Sequence, residues 1–159
     1  MKSRFIPNHY KVALLAGVGA ALCISGLALL GTIQNAIWLM APFGATMVIL
    51  FGLPASPLAQ PRNIILGHLL TATVGLAVAS LMEVTPWSLG LAVGLAVMLM
   101  LLTRTTHPPA GANPLLIMLD GQDWAFLFTP VALGAVCIVA FGYLYHRHIS
   151  GQAYPERWC

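Results

Sequence analysis

Long apolar runs with almost no charge in them constrain this chain more than any other sequence feature. Six such runs, separated by Gly, Pro or charged residues, occupy positions 12–30, 37–53, 63–82, 87–103, 104–119 and 125–145. Charged residues make up only 7% of the 159 positions, whereas soluble domains contain about 25%. A membrane-spanning helix needs about 20 mostly apolar residues. We therefore predict an all-α integral membrane protein with one transmembrane domain over residues 1–159.

The basic residues predict how the chain is oriented. If the amino terminus is cytoplasmic and the chain crosses six times, every Lys and Arg lies on the cytoplasmic side, as the positive-inside rule requires. These residues are Lys2, Arg4, Lys11, Arg62, Arg104, Arg147 and Arg157. Both termini are then cytoplasmic, and the run at 12–30 is an uncleaved first helix because it exceeds the length of a signal-peptide core.

A second topology has four full spans and two re-entrant segments, at 37–53 and 104–119. It would place Arg62 and Arg104 outside and Glu83 inside. The six-crossing topology is favoured because it places all cations on one side.

The fifth run cannot be an uninterrupted helix, because it contains Pro108, Pro109, Gly111 and Pro114. An extended stretch over 104–109 followed by a half-helix to 119 would approach the ~30 Å thickness of the hydrocarbon layer. Irregular backbone at that depth is tolerated only when it is buried in protein or lines a watery cavity. We therefore expect the functional site at this break.

A similar break occurs earlier in the chain. Pro42, Gly44 and Ala45 align without a gap with Pro109, Gly111 and Ala112, 67 positions later, and Thr46 coincides with Asn113. This offset predicts two repeats, at about 12–82 and 87–148, each with a broken or half-helix as its second segment. Because each repeat crosses three times, the halves should be inverted, an arrangement typical of transporters with a midplane site.

Two half-helices that start inside the membrane would aim free N–H groups and positive dipole ends at one place, which is suited to an anion. The alternative is that the glycines only permit close helix packing, as we predict for Gly90 and Gly94. The predicted substrate-binding residues are Gly44, Ala45, Thr46, His107, Gly111, Ala112 and Asn113, with Pro42, Pro109, His68 and Arg104 in secondary positions.

His107 is pushed toward an extended backbone because Pro108 follows it. It could bind an anion when protonated or relay a proton; alternatively it is a buried histidine bonded to freed carbonyl groups. Ionisable residues inside membranes are commonly functional, which favours the functional interpretation of His107. His68 has the same two interpretations, with a weaker case for function. Arg104 could draw anions into the cytoplasmic mouth, or it could extend to lipid headgroups.

Other classes of function are disfavoured. The sequence has no nucleophile elbow, phosphate-binding loop or His-x-x-His spacing, so we do not expect an enzyme. Cys23, Cys137 and Cys159 lack metal-ligand spacing, and we expect neither a metal nor a cofactor. The basic residues are scattered between apolar runs and do not form a patch for nucleic acid.

The stretch from Thr106 to Pro114, THPPAGANP, resembles the signature of the HPP family of integral membrane proteins. A second matching motif, APFGAT at 41–46, is followed by SPLAQPRN at 56–63. The resemblance implies a transporter, with plastid members associated with nitrite movement, and a domain usually described with four spanning helices. That count differs from six and would follow if the two broken segments were not scored as spans. Ala55 stands where the family often has an acid, and no soluble regulatory domain is expected after the last helix.

These observations predict a membrane transporter or channel for a small inorganic anion, with nitrite implied by the resemblance. A passive pore for a small neutral solute and a structural membrane subunit are the alternatives. The expected partners are the anion, the lipid bilayer and further copies of the chain in a homo-oligomer. A bacterial inner membrane is the expected location.

Overall fold

The computed structural model describes residues 9–157, and over that range the ordered elements are all helical. Lys2, Arg4 and Cys159 lie outside the described residues. The helices are α1 (His9–Gln34), α2 (Ala41–Gly52), α3 (Pro61–Leu81), α4 (Pro86–Leu102), α5 (Asn113–Asp120) and α6 (Leu133–Tyr145). Tight 3₁₀ turns at Pro57–Ala59 and Pro108–Ala112 precede α3 and α5, and wider π-helical turns at Leu127–Ala132 and His146–Ser150 extend α6.

Within residues 9–157, three helical segments are long and apolar enough to cross a membrane: His9–Gln34, Pro61–Leu81 and Leu127–Ser150. Shorter apolar helices occupy Ala41–Gly52 and Pro86–Leu102. The prediction of an all-helical membrane protein is confirmed at this level. The α2 helix has 12 residues, or about 18 Å at 1.5 Å per residue, so its extended approach must supply the rest of a crossing.

Prolines set the starts of the helices. Pro42, Pro61, Pro86 and Pro114 each lie in the first two positions of their helix, where the missing N–H costs nothing because it would have no partner. At its other end α5 stops at Gly121, whose φ of 65° is the left-handed conformation that glycine adopts most readily.

The two broken segments run along the bundle and do not turn back. In the first, Trp38 lies against Gly31 near the end of α1, and Phe51 lies against Gly19, closer to the beginning of α1. In the second, His107 packs on Gly67 of α3, and Pro114 packs on Gly75, two turns further along the same helix. A re-entrant segment would return to the end at which it began. The six-segment topology stays a prediction.

Two features of the last helical segment were not predicted. Thr129 has an extended backbone, with φ −137° and ψ 116°, because it precedes Pro130, and this breaks the helix near its start. His146, which the sequence predicts only as a marker of the helix end, is 1% exposed and bonds through Nε2 to the Leu50 carbonyl at 2.9 Å. That carbonyl lies in the last turn of α2, where intrahelical partners run out.

Gly90 and Gly94 do not pack within the chain. Both are exposed on α4, and an added Cβ at either would have no described atom within 4 Å. Glycines that do permit close packing within the chain lie on α1, α3 and α6. An added Cβ at Gly19 would lie 2.6 Å from the Phe51 side chain, one at Gly75 would lie 2.8 Å from Pro114 Cα, and one at Gly142 would lie 2.8 Å from the Leu50 side chain.

Candidate functional site

Four polar side chains meet in the interior of the bundle, and each is 0% exposed: Thr46, His68, His107 and Asn113. Thr46 lies on α2, His68 on α3, and Asn113 is the first residue of α5, whereas His107 ends the extended leg before Pro108. We call these four residues the polar cluster. All four belong to the residue set predicted from the sequence, and the structure brings them into direct contact.

The hydroxyl of Thr46 is the centre of the cluster. Its Oγ1 lies 2.9 Å from His68 Nε2 and 2.9 Å from His107 Nε2. The Pro42 carbonyl, one turn earlier on α2, lies 3.2 Å from the same oxygen. One small hydroxyl thus joins two imidazole rings from different parts of the chain.

His107 is fixed by the break in which it lies. Its Nδ1 is 2.8 Å from the Leu58 carbonyl, which can only accept a hydrogen bond, so Nδ1 carries a proton. Gly67 makes room for the ring, because an added Cβ there would come within 2.9 Å of His107 Cβ and 3.0 Å of the Thr105 carbonyl. His107 is therefore both a buried histidine bonded to a carbonyl and a member of the polar cluster.

Asn113 connects the cluster to α3. Its Nδ2 lies 3.1 Å from His68 Nδ1, 3.1 Å from the His68 carbonyl and 2.9 Å from Thr71 Oγ1. Its Oδ1 is buried and has no hydrogen-bond partner. Thr71 was not predicted as part of the site, and its position one turn after His68 on α3 is the only sequence signal that could have indicated it.

The polar cluster is closed in this conformation. The two imidazole rings are 5.0 Å apart between centroids, and the Thr46 hydroxyl fills the space between their Nε2 atoms. A solute could reach these groups only if the side chains separated. The described residues contain no group of three or more His, Cys, Asp or Glu that could hold a metal ion.

The glycines and alanines of the predicted set make no contact with the cluster that the structure records. Gly44, Ala45 and Ala112 are exposed, and Gly111 is half-buried. An open, largely apolar groove of about 570 Å³ separates the two breaks on this side, and Pro42, Pro109, Ala45 and Ala112 are among the residues that line it. The predicted set is therefore divided between a buried polar side and an exposed apolar side.

The first N–H groups of the two broken helices are also partly occupied. The Phe43 N–H donates to the Met40 carbonyl at 3.0 Å, and the Ala110 N–H donates to the His107 carbonyl at 2.9 Å. These tight turns reduce the number of free donors that a helix start could offer to an anion.

A basic cavity lies at the end of the bundle where α3 begins. It has a volume of about 450 Å³ and is lined by Ala55, Pro57, Gln60, Arg62, Asn63, Arg104, Glu156 and Arg157. We call it the vestibule. Three arginines against one glutamate give it a positive charge. Gln60 Oε1 accepts hydrogen bonds from the backbone N–H groups of Glu156 and Arg157, which holds the chain after α6 as one wall.

Residues in the wall of the vestibule are directly connected to the chain around His107. Asn63 Nδ2 donates to the Thr106 carbonyl at 2.9 Å, and Leu58, whose carbonyl bonds His107, follows the wall residue Pro57. Arg62 donates to the Thr103 carbonyl at 2.9 Å. The sequence predicts Arg104 at this mouth, but it indicates Arg62 only as an orientation signal and gives no indication of Asn63. Arg62 could not be assigned to the cavity because only the folded chain brings position 62 next to position 103.

Comparison with known proteins agrees with the motifs. A family model described as "HPP, transmembrane region" matches residues 7–155. Two proteins of Dictyostelium discoideum, both named only as transmembrane proteins, are 36% identical over 133 residues and 38% identical over 128 residues. The alignments cover 79% and 76% of this chain but 43% and 45% of those relatives, so the chain spans less than half of their length. No solved structure matches.

Proposed function

The chain belongs to the HPP family of transmembrane proteins, and from that premise we propose that it is a transporter or channel for a small inorganic anion and not an enzyme. Nitrite is the substrate that the family resemblance implies. The observation that carries the proposal is the vestibule, a cavity with three arginines whose wall residue Pro57 is followed by Leu58, the residue that bonds His107 of the polar cluster.

The positions of the charges support an anion as substrate. Arg62, Arg104 and Arg157 give the vestibule a positive potential that concentrates small anions at its mouth. The four acidic residues of the chain, Glu83, Asp120, Asp123 and Glu156, are all exposed, so no carboxylate opposes an anion in the interior. Beyond the vestibule, His107, Thr46 and Asn113 supply the polar groups that a partly dehydrated anion needs.

In this proposal the two halves of the chain are inverted repeats. Gly67 packs against Ala110, and Gly134 packs against Phe43. Gly134 lies 67 positions after Gly67, and Phe43 lies 67 positions before Ala110, so each contact is the counterpart of the other in the opposite repeat. The pairs Gly75 with Ile117 and Gly142 with Leu50 are related in the same way. Such reciprocal contacts are what a two-fold relation between the halves would produce, and they support a site between the two breaks.

The transporter acts in a lipid bilayer, with the vestibule on the cytoplasmic side, as a homo-oligomer. The exposed Gly90 and Gly94 of α4 offer the small-residue surface that membrane helices use to approach one another. A bacterial inner membrane remains the proposed location.

Flux into vesicles tests the proposed function. Purified protein is reconstituted into liposomes at neutral pH, and the initial influx of nitrite is compared with that of urea, a neutral solute of similar size, and with protein-free vesicles. We expect protein-dependent nitrite influx and little urea influx. Urea influx equal to or above that of nitrite would replace the proposal with a neutral-solute pore. Failure of both solutes to enter faster than in protein-free vesicles would leave only a structural role.

A further inference from the structure

The hydrogen bonds of the polar cluster have only one self-consistent direction when both histidines are neutral. The His68 carbonyl can only accept, so the Asn113 group that faces it at 3.1 Å must be the amide NH₂. The same NH₂ lies 3.1 Å from His68 Nδ1. His68 Nδ1 is therefore the bare, accepting nitrogen, and His68 carries its proton on Nε2.

The remaining bonds follow from these assignments. His68 Nε2 donates to Thr46 Oγ1 at 2.9 Å. His107 carries its proton on Nδ1, which faces the Leu58 carbonyl at 2.8 Å, so its Nε2 is bare. The Thr46 hydroxyl therefore donates to His107 Nε2 at 2.9 Å. A single chain of donors runs from Asn113 through His68, Thr46 and His107 to the Leu58 carbonyl.

An added proton can enter this chain at one place only. On His68 Nδ1 it would face the Asn113 NH₂, and turning that amide would place Oδ1 against the His68 carbonyl. On His107 Nε2 it requires only that the Thr46 hydroxyl turn toward the Pro42 carbonyl, 3.2 Å away. Thr46 Oγ1 then accepts from both imidazole rings, which its two lone pairs allow.

The protonated state would place a cation in the interior without a counter-ion. No ionisable side chain lies on α2, the Pro57–Ala59 turn or α4. On the other packed elements the ionisable groups are His68 and Arg62 on α3, Arg104 on the segment that leads to His107, and Asp120 at the end of α5. The first three carry no negative charge, and Asp120 is exposed, seven positions after Asn113. An unpaired buried cation is unfavourable, whereas an anion arriving from the vestibule would neutralise it.

We propose that this protein couples its anion to one proton, which is held on His107 Nε2 with the Thr46 hydroxyl as the turning element. The inference rests on the proposed function and adds the coupling ion. A proton from water binds Nε2, the Thr46 O–H bond rotates without breaking, and the same proton leaves Nε2 to water on the other side with the anion. One anion with one proton moves no net charge.

Flux measurements in vesicles distinguish this inference from the proposed function. Nitrite influx and interior pH, reported by a trapped dye, are followed at several potassium-clamped membrane potentials, with protein-free vesicles subtracted. We expect protein-dependent acidification of one proton per nitrite, accumulation driven by an inward proton gradient, and no effect of potential. Thr46→Val should lose proton-driven accumulation, whereas Thr46→Ser, which keeps the hydroxyl, should retain it. Nitrite flux that follows potential without acidification would overturn the inference and leave the function intact.

A second measurement tests the protonation step of the inference independently of the flux measurements. Nitrogen-15 NMR of histidine-labelled protein, assigned with His107→Asn, should show His107 protonated on Nδ1 and His68 protonated on Nε2 at neutral pH. On acidification His107 should become doubly protonated before His68 does. When nitrite is present, His107 should become doubly protonated at a higher pH than it does without nitrite. Opposite tautomers, or protonation of His68 first, would overturn the inference.

Discussion

At the residue scale, the polar cluster depends on each buried donor having an acceptor. The Asn113 amide has two N–H groups, and its three nearby acceptors are His68 Nδ1, the His68 carbonyl and Thr71 Oγ1. Of the three, the Thr71 hydroxyl makes the shortest contact, at 2.9 Å. Because the surroundings are apolar, a lost acceptor cannot be replaced by bulk water. Thr71 therefore stabilises the position of Asn113.

Thr71→Val tests this role, because valine keeps the shape of the side chain and removes the hydroxyl. We expect the substitution to lower stability by about 1 kcal/mol, the usual value of one hydrogen bond. The measurement is thermal unfolding in detergent. Thr73→Val is the matched control, since Thr73 is exposed on the same helix and bonds only the Leu69 carbonyl. Equal melting temperatures for the two variants would contradict the role of Thr71.

At the scale of the elements, the packing of the long helices on the broken segments requires glycine. An added Cβ at Gly75 would lie 2.8 Å from Pro114 Cα, a backbone atom that cannot move aside cheaply. An added Cβ at Gly142 would likewise lie 2.8 Å from the Leu50 side chain. Close contact at these positions holds Pro114 against α3 and Leu50 of α2 against α6.

Gly75→Ala should therefore destabilise the protein, by about 1–3 kcal/mol, as overpacking commonly does. Gly26→Ala is the control: Gly26 lies inside α1 with no described atom within 4 Å of an added Cβ, and alanine there should stabilise the helix by about 0.5–1 kcal/mol. Thermal unfolding in detergent again provides the measurement. A Gly75→Ala variant as stable as Gly26→Ala would show that the helices are not in close contact at this point.

Most of the elements could be predicted because prolines and apolar runs are local signals. Pro42, Pro108 and Pro109 indicate where helices break, and the 67-residue offset indicates that the breaks correspond. Local signals could not predict which residues of each broken segment face the interior of the protein. Whether Thr46 or Ala45 faces the interior depends on which side of α2 packs on the Pro108–Ala112 turn, and a uniformly apolar membrane helix has no polar face to reveal it.

Long-range contacts account for what the sequence interpretation missed. His146 is buried because it meets the Leu50 carbonyl, 96 positions earlier in the chain. Arg62 lines the vestibule because the leg at 103–106 passes over the start of α3. In the sequence, His146 and Arg62 look like ordinary basic residues at a membrane interface. Only the tertiary structure shows that one is buried and that the other lines the vestibule.

At the scale of the whole molecule, the vestibule should make transport sensitive to salt. Its potential is screened as ionic strength rises, since the Debye length falls to about 10 Å at 0.1 M salt. Arg104 is exposed and lines the cavity. We expect Arg104→Gln to lower nitrite influx at low ionic strength and to weaken its dependence on salt. The measurement is initial influx into proteoliposomes at several concentrations of an inert salt.

Arg147→Gln is the control for that experiment, because Arg147 is exposed on the turn after α6 and does not line the vestibule. Both variants remove one positive charge, so they change the net charge of the protein equally. If Arg147→Gln alters the salt dependence as much as Arg104→Gln does, the effect comes from the overall charge, and the vestibule has no special role.

In the proposed function, anions pass from the vestibule through the polar cluster. The most direct test compares initial nitrite influx for the wild type, His107→Ala, Asn113→Ala and Arg147→Gln in vesicles with equal amounts of folded protein. We expect His107→Ala and Asn113→Ala to lower influx at least about tenfold, equivalent to about 1.4 kcal/mol in the barrier, and Arg147→Gln to match the wild type at high salt. Influx in His107→Ala and Asn113→Ala equal to that of the wild type would contradict the claim and remove the polar cluster from the path.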